Sequence, residues 1–159
     1  MSFRLEIGCG RKPLRGFKHI DIEAYANPDF LGDFRTMSFS DVEEIQSHHL
    51  LEHFGREEAI KVLELWKSWL KVGGKLVVTT PDFEGICEEF GKVKDPKRMY
   101  WLCRHAYGSQ EADWSYHRNG WWEDKLRSTF ESTGFSVLSI RKFVSRGYLP
   151  NITVEAIKR

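Results

Sequence analysis

The residues best suited to chemistry stand at a few short intervals along this chain. Gly8-Cys9-Gly10 can bring the backbone close to a ligand and turn it tightly, with the middle residue contributing mainly its peptide group. Asp21 and Asp33 are carboxylates that can each accept a pair of hydrogen bonds from hydroxyl or amino groups. Ser47-His48 follows, and then His49-Leu50-Leu51-Glu52-His53 spells H-x-x-E-H. In that pattern two histidines four apart on a helix bind zinc and the glutamate activates water. Further on, Trp101, His105, Tyr107, Trp114, His117 and Trp122 crowd a segment that holds four of the six tryptophans. Each feature also has a plainer reading. Gly-x-Gly makes turns, aspartates at strand ends act as caps, and an aromatic cluster can pack a small subcore.

Positioning these residues falls to short strands with loops at their carboxyl ends. Arg4 to Ile7 alternates and stops at the glycine loop, and Phe17 to Ile22 predicts a second strand with Asp21 at its end. The apolar pair Phe30-Leu31 leads into Gly32-Asp33-Phe34, and Val42 to Ser47 predicts another strand. The strongest helix runs from Arg56 to Leu70. There Ala59, Val62, Leu63, Trp66, Trp69 and Leu70 recur at helical spacing, Glu57 and Glu58 sit in the first turn, and Gly73 follows the end. Lys75 to Thr80 is β-branched and short, a central strand stopped by Pro81-Asp82.

Beyond it the sequence predicts a helix from Phe83 to Phe90, a basic turn from Lys92 to Arg98 and a less regular aromatic stretch. A helix from Trp121 to Ser132 follows, stopped by Gly134. Strands Ser136 to Val144 and Ile152 to Ile157 close the chain, joined by about seven residues, which is too few for a parallel crossover, so they must be antiparallel. Strands alternating with helices imply an α/β fold, a mostly parallel sheet covered on both faces, within one domain spanning 1–159. The stretch Arg11 to Phe17 is too short for a helix with its loops, so the first crossover must be nearly extended.

Composition removes several function classes. Across 159 residues, 24 Lys and Arg balance 23 Asp and Glu, leaving a formal charge of +1, which supplies no global field for nucleic acid or an anionic membrane. Glu6 interrupts any N-terminal apolar segment, and no run approaches the roughly 20 apolar residues of a membrane span, so a cytoplasmic protein is expected. Cys9, Cys87 and Cys103 are too widely spaced for a metal knuckle and are expected to be reduced thiols. A dinucleotide fingerprint fails at Pro13, and no Gly-Lys-Ser/Thr of a phosphate loop is present.

Taken in order, LEIGCG, HIDIE, GDF, SHHLLEHF and LKVGGKLVVTTPDF resemble the class I S-adenosylmethionine-dependent methyltransferases, in particular small bacterial methyltransferase type 11-like proteins. The resemblance covers residues 4 to 83 well and the terminal helix and strands more loosely. It implies a Rossmann-like fold with an antiparallel C-terminal strand and S-adenosylmethionine as cofactor. Glu6, Gly8, Cys9, Gly10, Asp21, Ile22, Asp33, Phe34, Ser47 and His48 would then form the cofactor site. In that assignment Asp21 holds the ribose hydroxyls, Asp33 the adenine amino group beside Phe34, Glu6 orders the glycine loop or the methionine amine, and Ser47 and His48 line the methionine side. Residues 83–122 would supply the substrate or lid segment, with His117, His48, Tyr107 and Asp82 as candidate general bases.

The implied acceptor is a small molecule or saccharide. Lys92, Lys94, Lys97, Arg98 and Arg104 are available to a phosphate-bearing one, or form a solvated face. Two other readings compete: a catalytically silent S-adenosylmethionine-binding module, and a zinc-dependent hydrolase built on His49, Glu52 and His53. The H-x-x-E-H motif begins just after a predicted strand rather than within a helix, so no metal is expected.

Overall fold

The computed structural model describes residues 3–159. Seven strands form one sheet: β1 (Phe3–Ile7), β2 (Lys18–Asp21), β3 (Phe30–Leu31), β4 (Val42–His48), β5 (Leu70–Pro81), β6 (Phe135–Ser145) and β7 (Leu149–Lys158). Their order is β3-β2-β1-β4-β5-β7-β6. The first five are mutually parallel, and β7 runs antiparallel to both β5 and β6. The expected sheet with its reversed C-terminal strand is therefore present. Register aligns the strand ends that matter, because Ile7 pairs with both Ile20 and Ser47 and so sets Gly8, Asp21 and His48 along one edge.

The helices are α1 (Arg56–Trp69), α2 (Phe83–Lys92), α3 (Pro96–Tyr107) and α4 (Glu123–Ser132). Alternation along the strands sends Leu5, Ile7, Ile45, Leu76, Val78, Ile152 and Val154 to one face. There they meet Val62, Leu63 and Trp66 of α1 and Leu126 and Phe130 of α4 in the main core. A smaller cluster joins Ile86 of α2 and Leu102 of α3 to Leu149. Leu149 alternates to the face opposite Ile152, so this second helical layer covers the other side near the carboxyl ends. Much of the rest of that face is polar, with hydrogen bonds running Glu44–Gln46–His48–Thr79–Thr153 at 2.7, 3.1, 3.0 and 2.8 Å.

The first connection contains no helix, as its length requires. Leu14 N–H instead donates to the buried Glu6 Oε2 at 2.7 Å, and the Leu14 carbonyl meets His19 Nε2 at 2.8 Å. Three elements differ from the sequence-based expectation, one of them the last strand, which begins at Leu149 rather than Ile152 and leaves a connection of only three residues, 146–148. Strand β5 begins at Leu70, directly after α1, because Gly74 lets the chain pass where a Cβ would lie 2.8 Å from Lys71 O and 3.0 Å from Val42 O. Of the expected basic turn from Lys92 to Arg98, only residues 93–95 connect two helices; Lys92 ends α2, and Pro96, Lys97 and Arg98 begin α3. Asp95 caps that helix by accepting from Lys97 N–H at 3.1 Å, and Pro96 stands in its first turn. The Asp-Pro pair was the available signal. Among the described residues no helix is long and apolar enough to cross a membrane.

Trp66 is completely buried and packs its ring 5.8 Å from that of Phe34, so it ties α1 to the turn carrying Asp33. Trp66→Ala is expected to cost about 3–5 kcal/mol, whereas Ile60→Ala on the exposed side of α1 should change stability by only about 0.5 kcal/mol or less. Urea denaturation of the two variants measures the difference.

Candidate functional site

The carboxyl ends of β1, β2, β3 and β4 open into a cleft of about 510 Å³ lined by Gly8, Gly10, Asp21, Ile22, Asp33 and Phe34. Gly8 has φ +74° and faces Leu50, whose Cδ2 would lie 3.3 Å from an added Cβ. A side chain there would be both strained and crowded. Asp21 accepts from Gly10 N–H at 2.8 Å through Oδ2 and from Glu23 N–H at 2.9 Å through Oδ1, so this carboxylate sets the curvature of the glycine loop. The Cys9 thiol also points at Oδ2, at 3.9 Å, so Oδ1 keeps a further lone pair for a ligand and Oδ2 shares its second with a weak donor. Cys9 is buried behind the loop, and burial with the neighbouring Asp21 and Glu6 carboxylates pushes its thiol up to about 11.

On the far wall Asp33 is gripped by the Arg35 fork, with Nη2 at 2.7 Å and Nε at 3.0 Å, and these bonds hold its carboxyl below the usual range. Phe34 is nearly buried, edge-on to Phe54 and Trp69. The remaining predicted cofactor residues lie elsewhere. Glu6 sits beneath the loop rather than in the cleft, and burial raises its pKa despite the opposing Leu14 N–H and His19. Ser47 is fully buried and donates to Ile7 O at 3.2 Å. The His48 ring is engaged by Thr79 and Gln46 on the polar sheet face, and burial lowers its pKa. After β4 it is His49, Leu50 and His53 that line the cleft, joined by Trp114 and Arg118 from the aromatic segment. The sequence placed the right strand end but not the side-chain parity within it.

A second cavity of about 290 Å³ lies beside the first, lined by His49, Arg104, His105, Ser109, His117 and Arg146 among others. His49 borders both cavities. Of the four candidate bases, His117 lines this second cavity. Tyr107 is largely exposed outside it, and Asp82 is buried at the start of α2, 3.6 Å from Lys142 Nζ. Gly108 makes the placement of His117 possible. At φ +83° its added Cβ would fall 2.1 Å from Ser115 O, and the tight pairing lets His117 N–H donate to Tyr107 O at 3.0 Å.

Between the cavities stands Glu52, with 1% of its surface exposed and neither carboxylate oxygen hydrogen-bonded within the protein. His49 Nδ1 is in ion-pair contact with its Oε1 at 3.3 Å, and His117 Nε2 lies 3.9 Å from the same oxygen. Burial alone would raise the Glu52 pKa, but these imidazoles hold it below the usual range. The H-x-x-E-H segment is not an α-helix. His49 has φ +55° and residues Leu51–His53 form a 3-10 turn, so His49 and His53 do not share a helical face as the zinc hydrolase pattern requires. A more open groove of about 830 Å³ runs along α1 past Arg56, Glu57 and Lys61, and shares Arg35 and Glu58 with the cleft.

No family profile matches this sequence, and no curated protein matches it. Solved structures do match. Magnesium protoporphyrin IX methyltransferase from Synechocystis PCC 6803, with bound S-adenosylhomocysteine, superposes with a TM-score of 0.66 at 17% identity, covering 99% of this chain and 74% of that one. A SAM-dependent methyltransferase from Methanosarcina mazei gives 0.66 at 14% identity, covering 98% and 91%. A Burkholderia thailandensis 1,6-didemethyltoxoflavin-N1-methyltransferase gives 0.65 at 11%, covering 99% and 71%. The chain has the class I methyltransferase fold. Within this methyltransferase fold the glycine loop, Asp21 and Asp33 stand at three of the four strand ends that border the cleft.

The thiol of Cys9 should be silent at neutral pH, since with a pKa of about 11 only roughly 10⁻³ to 10⁻⁴ of it is thiolate near pH 7.5. Iodoacetamide at that pH is expected to modify the exposed Cys87 and Cys103 and to reach Cys9 only after denaturant is added. Peptide mass mapping reads the outcome.

Proposed function

We propose that this chain is an S-adenosylmethionine-dependent methyltransferase acting on a small-molecule acceptor. The observation that carries the reading is the pair of adjoining cavities. One, of about 510 Å³, is edged by a glycine loop tied to Asp21 and by Asp33 and Phe34, and the other opens beside it across His49. The first has a size suited to one nucleoside-bearing ligand, within the ordinary range of about 300–1,000 Å³. In this reading Asp21 accepts from the ribose hydroxyls while keeping its bond to Gly10, and Asp33, fixed by Arg35, accepts from the adenine amino group. Ile22 and Phe34 supply apolar wall. The methionine end is directed toward His49 and Leu50, which stand where Ser47 and His48 were expected.

The acceptor enters through the second cavity, and residues 83–122 supply much of its wall. Arg104 and Arg146 border that cavity, which suits an acceptor carrying a phosphate or carboxylate, such as a sugar derivative. An acceptor oxygen or nitrogen attacks the sulfonium methyl in line. The methyl–sulfur bond breaks with its electron pair left on sulfur, giving S-adenosylhomocysteine. The acceptor's proton passes to the histidine and carboxylate cluster between the cavities. The donor is already activated, so orientation and exclusion of water supply most of the rate.

Isothermal calorimetry tests the reading. S-adenosylhomocysteine is expected to bind with micromolar affinity, and Asp21→Ala, its fold checked by circular dichroism, should lose about 1.5–3 kcal/mol of binding. Absence of heat at millimolar ligand, together with an unchanged melting temperature, would overturn it.

A further inference from the structure

We propose that Glu52, His53 and His117 form a binding site for a divalent transition-metal ion of the zinc class, set in the wall between the two cavities. One ligand atom from each of these three residues lies within 4.8 Å of the others. The set differs from the H-x-x-E-H reading, since His49 is not a member and the third ligand comes from the far side of the aromatic segment.

Hydrogen bonds behind the ligands point the free atoms inward. His53 Nδ1 lies 3.0 Å from Tyr116 O, and His117 Nδ1 lies 3.0 Å from His105 O. A carbonyl oxygen only accepts, so each Nδ1 carries a proton, and the neutral form of each ring has its lone pair on Nε2. Imidazoles that bind metals are commonly held in this way by a backbone carbonyl on the other nitrogen.

Two nitrogen lone pairs and a carboxylate therefore converge with no hydrogen-bond donor among them. Glu52 is buried and neither of its oxygens is hydrogen-bonded, so beyond the ion-pair contact with His49 the carboxylate has room for a cation or solvent as a further partner. His49 touches only Oε1. The backbone reinforces the convergence, because Arg118 N–H and Asn119 N–H donate to Glu52 O at 2.8 and 3.2 Å and so fix His117 beside the carboxylate.

The donor set also selects the ion. Two imidazoles and one carboxylate suit zinc, cobalt or iron rather than magnesium or calcium, which prefer oxygen ligands. Bond lengths near 2.0–2.2 Å require ligand atoms about 3.3–3.5 Å apart. His117 Nε2 lies 3.9 Å from Glu52 Oε1 and the three ligand atoms span up to 4.8 Å, so the side chains must close by about 0.5 to 1.5 Å on the ion. Three protein ligands leave a coordination position open toward the cavities, with His53 facing the cleft and His117 the second cavity. An acceptor hydroxyl or amine can fill that position.

The test uses the intact protein, loaded with zinc and passed over a chelating resin, followed by elemental analysis and by titration of metal-free protein with cobalt(II). Stoichiometric zinc and the visible d–d absorption of low-coordinate cobalt are expected. His117→Asn and the near-isosteric Glu52→Gln should each weaken metal binding by roughly tenfold to a hundredfold or more. Circular dichroism confirms that each variant is folded, and the Glu52→Gln and His117→Asn double variant should give no d–d bands. Failure of the wild-type protein to retain metal, with no cobalt spectrum, would overturn the site and leave solvent bridging these groups. Equal retention by the double variant would overturn it too, placing the ion elsewhere. Neither result bears on S-adenosylhomocysteine binding, which is measured separately.

Discussion

The connection from β1 to β2 is too short for a helix, and much of the site follows from that constraint. A phosphate or carboxylate ligand in many parallel α/β proteins meets a helix N-terminus immediately after the first strand, where free N–H groups and the helix dipole supply positive potential. Here the chain turns back within ten residues, so the glycine loop has no helix behind it. Two carboxylates do the holding: Asp21 fastens Gly10 from the neighbouring strand, and buried Glu6 fastens Leu14 from below. Burial, and then the nearness of both acids, keeps the Cys9 thiol protonated. A site assembled in this way favours a ligand whose hydroxyls and amines donate to carboxylates over one whose recognition depends on anion-binding N–H groups. The adenosine end of S-adenosylmethionine has that donor pattern.

Glu52 does for the second half of the site what Asp21 does for the first. Its carbonyl fixes the chain at Arg118 and Asn119, and its side chain gathers His49, His53 and His117 from two segments far apart in sequence. Ion-pair contact with His49 offsets part of the cost of burying this carboxylate, but neither oxygen is hydrogen-bonded, and an occupant of the cluster that neutralises or solvates it would offset more. Its position in the wall between the cavities couples that occupant to the place where methyl donor and acceptor would meet. The strained αL backbone at His49 belongs to the same arrangement, since it turns a residue at the end of a strand toward both cavities.

Most of the sheet was legible in the sequence because its strands end at punctuation with a physical cause: Gly8 to Gly10, Asp21, Asp33 and Pro81-Asp82. Helix α1 was legible from a complete apolar stripe, and the antiparallel last pair from a loop too short for a crossover. Helix α3 was not, because its apolar side is short and interleaved with basic and aromatic residues, and only Leu102 is fully buried. Only its Asp95-Pro96 start carried a signal. The site divides the same way. Gly8, Gly10, Asp21, Ile22, Asp33 and Phe34 surround the cleft because loop positions at strand ends are read directly from strand boundaries. Ser47 and His48 fall outside it because one residue of strand parity sends a side chain into the core or to the opposite face. The partnership of Glu52 with His117 depends on a tertiary contact across 65 residues, which no local pattern encodes.

A co-crystal structure with S-adenosylhomocysteine is the most direct measurement of this account. The account predicts the ribose hydroxyls on Asp21, the adenine between Ile22 and Phe34 with its amino group toward Asp33, and the sulfur directed at His49 and the mouth of the second cavity. A ligand seated away from the glycine loop, or with its sulfur turned from the second cavity, would contradict it.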